Sequence, residues 1–192
     1  MTDPRSAATY SPGGRIVLTA YDAAWAGAFA REATAIQAAL ADLTIAVHHI
    51  GSTAVPGLPA KPVIDILLVV PNLVALDERT DRLTAIGYEA RGEFGIAGRR
   101  YFHKTTLPGV RTHQIHAYVS GAAAIRRHLD FRDYLGAHPS AVREYAQLKE
   151  RLAKSFGSYV EGYADAKTAF VGDVERQAVE WRARGSDHDP SA

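Results

Sequence analysis

Residues 48–70 read HHIGSTAVPGLPAKPVIDILLVV, and the fold turns on this stretch. A short apolar strand over residues 45–50 runs into Gly51-Ser52-Thr53. A Pro/Gly-rich turn follows, then a second strand of Val, Ile and Leu that carries one acid, Asp65. A carboxylate inside such a run is costly to bury unless something binds it. Glycine lets the backbone approach a ligand closely, and Ser52 and Thr53 set hydroxyl donors beside main-chain N–H groups, an arrangement suited to an anion. The stretch therefore predicts a phosphate-binding turn at Gly51, Ser52 and Thr53, facing a carboxylate able to hold a metal or to act as a base.

Outward from this centre the pattern alternates between helical and extended. Asp22 is placed to cap a helix whose apolar positions are Trp25, Phe29, Ile36 and Leu40. After the strand pair, Asn72 opens a helix with Leu73, Leu76, Leu83 and Ile86 on one side and Gly87 just past its end. Strand-like runs follow at residues 88–91, 99–104 and 111–119. Ser120, His138-Pro139 and Ser158 then each precede a helical pattern. A helix, a mixed sheet and a helical C-terminal half argue for an α+β fold rather than a regular βαβ repeat. At 192 residues the chain fits one domain, placed at residues 15–183, with residues 1–14 and 184–192 as flexible tails.

Composition excludes several chemistries. Lys and Arg number 22 against 21 Asp and Glu, so no net field recruits nucleic acid or an anionic membrane. With no cysteine, disulfides, Cys-ligated zinc and thiol catalysis are excluded. The first residues lack the apolar core of a secretory signal, and no apolar run reaches the roughly 18 residues that a membrane helix needs. The expectation is a cytoplasmic protein that meets a small ligand rather than a membrane.

Side-chain alternation places Asp65 on one face with Val63, Leu67 and Val69, and places Gln114 and His116 together on the last strand. If those strands are neighbours, Asp65 and His116 share a cleft. His116 titrates near neutrality and is the candidate second ligand or general base. Lys61, just before the strand, can pair with phosphate or with Asp65. Arg99 and Arg100 follow a Gly-rich, mobile-looking stretch, and alternation lets only one of them face inward as a bidentate phosphate clamp. His128 and Arg132, four residues apart on one helix, can form a polar stripe toward the cleft. Arg132 and Asp133 read more readily as an Arg–Asp network tying the helical half to the sheet.

The Gly-Ser turn ahead of an acid-bearing strand resembles the nucleotidyltransferase superfamily, in which the turn holds a triphosphate and paired carboxylates hold two metals. Here the second acid position is Leu67. The segments IGSTAVPGLPAKPVIDI, GRRYFHK, RTHQIHAY, HLDFRDYLGAHPSAVREYAQLKERLA and YADAKTAF, in that order over residues 21–178, resemble the GrpB family. Members of that family are described as nucleotidyltransferase-like, and a similar domain is found fused to dephospho-coenzyme A kinase in some bacteria. The resemblance implies a nucleotidyltransferase-like fold and a site, but no substrate.

Two functions fit these residues. The first is metal-assisted nucleotidyl transfer to or from a phosphorylated ligand. Gly51, Ser52, Thr53, Lys61 and an arginine would hold phosphate, while Asp65 and His116 would carry one divalent ion, manganese or zinc ahead of magnesium. The second is a phosphate-ligand-binding module without turnover, linked to coenzyme A chemistry.

Overall fold

The computed structural model describes residues 17–107, 110–156 and 160–186. The expected N-terminal tail, the turn at Ser158 and residues 187–192 lie outside them. The other end of the expected C-terminal tail is helical, since the last helix runs to Ser186.

Five strands form one sheet: β1 (Ala46–Ile50), β2 (Ile64–Val70), β3 (Tyr88–Ala90), β4 (Arg100–Leu107) and β5 (Val110–Val119), in the order β1-β2-β5-β4-β3. β2 and β5 run parallel and the other pairs antiparallel, so the sheet is mixed. The α+β expectation is met.

β2 is apolar on both faces because both are covered. Ile64, Ile66, Leu68 and Val70 pack with Trp25, Ile36 and Leu40 of the first helix region, and with Leu76 and Leu83. The covering helices there are α1 (Ala24–Ala39), α2 (Leu73–Asp77) and α3 (Thr80–Ala85). On the opposite face Leu67 and Val69 pack with Ile50 and Tyr118 beneath Ile125 and Leu129 of α4 (Ala123–Ala137). Asp65 points to this second face at the start of β2, where the α4 cover gives out.

Local chemistry explains most of the boundaries. The Asp22 carboxylate accepts the Ala24 N–H at 2.8 Å, and Asn72 accepts the N–H groups of Val74 and Ala75 at 2.8 and 3.3 Å. The single helix expected after Asn72 is two helices, broken at Glu78 and Arg79. Leu76 and Leu83 are two turns apart, so their periodicity does not register the break. Arg79 turns back instead to the Ala75 carbonyl and to Asp42.

Helices α5 (Pro139–Phe156), α6 (Val160–Asp165) and α7 (Thr168–Ser186) complete the C-terminal half. Leu135 of α4, Ala141 and Tyr145 of α5 and Val174 of α7 enclose Val55 and Leu58 of the turn after β1. Arg132 donates to the His49 carbonyl of β1 at 3.0 Å and pairs with Asp133, tying α4 to the sheet as the sequence suggested. Among the described residues, no helix is long and apolar enough to cross a membrane.

Candidate functional site

The site grows from the β1–β2 hairpin. Ile50 lies opposite Asp65, so the next residue, Gly51, passes directly over the carboxylate. Gly51 has φ +70°, and a Cβ there would overlap Asp65 Oδ2 and lie 2.9 Å from Cγ. Only glycine combines that backbone conformation with so close an approach. A 3₁₀ turn, Ser52–Ala54, then carries the chain away.

Parallel pairing of β2 with β5 sets Asp65 beside Gln114 and Leu67 beside His116, all on one face. Gln114 Nε2 donates to Asp65 Oδ1, and Gln114 Oε1 accepts from the Tyr101 hydroxyl. Arg111 donates to that hydroxyl at 2.7 Å and to Gln114 Oε1 at 3.3 Å. A side-chain amide on the neighbouring strand thus orients the carboxylate, and a buried guanidinium backs the amide. His116 Nε2 is 3.8 Å from Asp65 Oδ1, so the two candidates do share a face.

A cavity of about 170 Å³ opens beside Asp65, lined by Ser52, Lys61, Gln114, Lys149 and Lys167 among others. Lys61 precedes β2, Lys149 lies on α5 and Lys167 sits in the α6–α7 turn. Lys149 is 2% exposed and donates to the Pro59 carbonyl. Lys61 and Lys167 lie over the Tyr163 ring, at 4.7 and 4.5 Å from its centroid, and Lys149 lies over Tyr145 at 4.9 Å. Burial pushes the Lys61 and Lys149 ammonium groups down to about 7, with Lys167 lowering both further and Asp65 opposing. Lys167 is lowered by the same burial. Burial pushes Tyr145 up to about 12, with a hydrogen bond to the Ser52 side chain opposing it.

Of the other expected phosphate ligands, Thr53 also lines this cavity, while the two arginines are placed elsewhere. The Thr53 side chain is buried, its hydroxyl between His49 Nε2 at 3.0 Å and the Val63 carbonyl at 3.3 Å, so it anchors the turn. Arg99 is buried and donates to the carbonyls of Glu93 and Phe94 and to His116 Nδ1 at 3.3 Å. It closes the Gly-rich loop onto the sheet; that loop is further tied by the Gly98 N–H to Glu93 Oε1 and by Phe94 stacked on Tyr101. Arg100 faces the opposite side and is held bidentately by Asp77. Neither arginine lines the cavity, because each guanidinium finds acceptors nearer to hand. Lys149 and Lys167 were not assigned to a face from the sequence. A signal existed: Ala141, Tyr145 and Lys149 recur every fourth residue, and all three are buried on α5.

Residues 15–177 match the family model described as GrpB protein. The chain belongs to the GrpB family. It is similar to the UPF0157 protein YqkA of Bacillus subtilis (strain 168), with 40% identity over 171 residues, 89% of this chain and 49% of YqkA. It is also similar to a dephospho-CoA kinase of Mycobacterium leprae (strain TN), with 30% identity over 201 residues, 91% of this chain and 48% of the kinase. The chain therefore spans about half the length of both relatives. The crystal structure of the conserved protein GrpB from Enterococcus faecalis shares 39% identity and a TM-score of 0.81, over 86% of this chain and 99% of that one.

The GrpB-family site does not fit the divalent ions expected from the sequence. The position for a second acid is Leu67, fully buried. Arg99 Nη1 lies 3.3 Å from His116 Nδ1, and His116 Nε2 faces Asp65 Oδ1 at 3.8 Å. Among the described residues, no group of three His, Cys, Asp or Glu side chains is placed to hold an ion. Three lysines occupy the region where a cation would add to their repulsion.

Burial also keeps two histidines of this GrpB-family chain neutral. His49 is pushed down to about 4 by burial, with Arg132 adding to the effect, and His128, facing His116, is pushed down by burial to about 3. The unfolded chain takes up these protons near pH 6.5 while the folded chain does not, so stability falls as pH drops below 6.5. A lower urea midpoint at pH 5 than at pH 7.5 is expected, with the difference reduced in His128→Leu. Equal midpoints would contradict the neutral assignment.

Proposed function

We propose that this GrpB-family chain binds a phosphorylated small molecule, with its phosphate oxygens in the cavity between the Gly51-Ser52 turn and the α5–α7 helices. One observation carries the reading: Lys61, Lys149 and Lys167 converge from three segments on one hollow that also holds Ser52. Cations gathered away from water repel one another and lose hydration, so such a cluster opposes folding unless an anion compensates it. Asp65, held by Gln114 and packed under Gly51, supplies one negative charge beside the lysines.

Nucleotidyl transfer through carboxylate-held metals needs the acid that Leu67 replaces, so binding without turnover is the reading the geometry supports. The ligand class is a nucleotide or a related phosphorylated compound. The similarity to a dephospho-CoA kinase brings coenzyme A-related compounds into that class. Thermal melts with ATP, dephospho-coenzyme A and inorganic pyrophosphate test it. At least one should raise Tm progressively with concentration, and the shift should shrink in Ser52→Ala and Lys167→Gln, with no product by mass spectrometry. No shift with any of the three sinks the binding reading. Turnover lost in Asp65→Asn would restore the transferase.

A further inference from the structure

We infer that the ring of Phe94 is a stacking platform for a nucleobase carried by the phosphorylated ligand. The inference rests on the phosphate-binding reading above and narrows the ligand to one bearing a planar base, met by a named residue outside the hollow.

The backbone of Phe94 needs a cause. Among the described residues it is the one non-glycine residue with positive φ, +46°. A bulky side chain rarely adopts that conformation, and such outliers gather at ligand clamps. Gly92, Gly95 and Gly98 of the same loop also have positive φ, and a Cβ built on any of them meets nothing within 4 Å. The loop tip therefore stands clear of its surroundings, and residues 95–98 are exposed. Among the described residues, Phe94 belongs to none of the three hydrophobic clusters, so burial in the core does not offset its conformation. What holds the ring is one stack on Tyr101, with centroids 4.8 Å and planes 9° apart. Arg99 meanwhile pins the Phe94 carbonyl at 2.8 Å. The ring is half-buried, and among the described residues no second ring lies against its other face. A base laid there continues the stack.

Strand register puts this stack on the face that carries the site. Tyr101, His116 and Leu67 form one row across β4, β5 and β2, and His103, Gln114 and Asp65 form the next row on the same face. The Tyr101 hydroxyl donates to Gln114, which lines the phosphate hollow beside Asp65. One phenol ring thus separates the platform from the hollow. The hollow, of about 170 Å³, is below the roughly 300 Å³ at which pockets begin to enclose a whole organic ligand. It admits the phosphate end of a nucleotide, and the nucleoside must find its surface outside. Phe94 supplies that surface, with the ribose bridging the two.

Calorimetric titration of the whole chain with AMP, ribose 5-phosphate and inorganic pyrophosphate tests the inference, since the first two differ only in the base. AMP is expected to bind at least about fivefold more tightly than ribose 5-phosphate, the lower end of what stacking a base on an aromatic side chain contributes. In Phe94→Ala that preference should vanish, and in Phe94→Tyr it should persist. Comparing the two ligands within each variant removes any effect of the substitution on the hollow through Tyr101 and Gln114. A preference that survives Phe94→Ala places the base elsewhere and overturns the inference, as does equal affinity for the two ligands in the unaltered chain. Loss of the preference in Phe94→Tyr as well marks a loop effect rather than a stack and also overturns it. Pyrophosphate binding without AMP binding overturns the base platform and leaves the phosphate reading standing. No binding of any of the three removes both.

Discussion

Lys149→Met is expected to make the protein more stable and, at the same time, to abolish the proposed anion binding. Lys149 is 2% exposed, and its ammonium group is pushed down from 10.5 to about 7. By the usual conversion, a shift of that size is about 5 kcal/mol of penalty on the charged form at neutral pH. Methionine has nearly the same length and no charge to desolvate. Its cost is the Pro59 carbonyl left without a donor, about 1–3 kcal/mol. The balance favours the variant, so its Tm should rise by several degrees. Affinity for pyrophosphate or a nucleotide should meanwhile fall at least tenfold, because one charge-assisted contact is lost. A variant that melts lower and binds normally would show that Lys149 is a structural strut and not part of the anion site.

Gly51→Ala carries the second large effect, with the opposite sign on stability. The positive φ alone costs a non-glycine residue about 1–3 kcal/mol. The added methyl must also displace the Asp65 carboxylate, which Gln114 holds in place. For a chain of this size each kcal/mol is worth about 2–4 °C, so a Tm loss of at least about 5 °C is expected, together with loss of ligand-induced stabilisation. The double variant Gly51→Ala/Asp65→Ala separates the two causes: removing the carboxylate should recover the part due to overlap and leave the backbone part. If Asp65→Ala recovers nothing, the close approach of turn and acid has been misread.

How much of this could be read from the sequence follows from which regularities it carries. Asp65 and His116 were placed on a shared face because alternation is strict and parallel strands keep it across the pair. The same rule put one of Arg99 and Arg100 inward. It could not say that Arg99 would meet His116 and two carbonyls, since periodicity gives a side and never a partner. The break at Glu78 and Arg79 was hidden because Leu76 and Leu83 fall on one side of a continuous helix and of a broken one alike. Lys149 and Lys167 were missed for a different reason. A lysine among polar neighbours on a helix is usually solvated, and only the four-residue line through Ala141 and Tyr145 marks Lys149 as inward. Lys167 lies in a turn, where no period applies.

The contact between Lys149 and the Pro59 carbonyl spans ninety positions of the chain. The hollow therefore exists only where the early hairpin and the late helices meet, so any ligand held there would stabilise the joined halves and neither half alone.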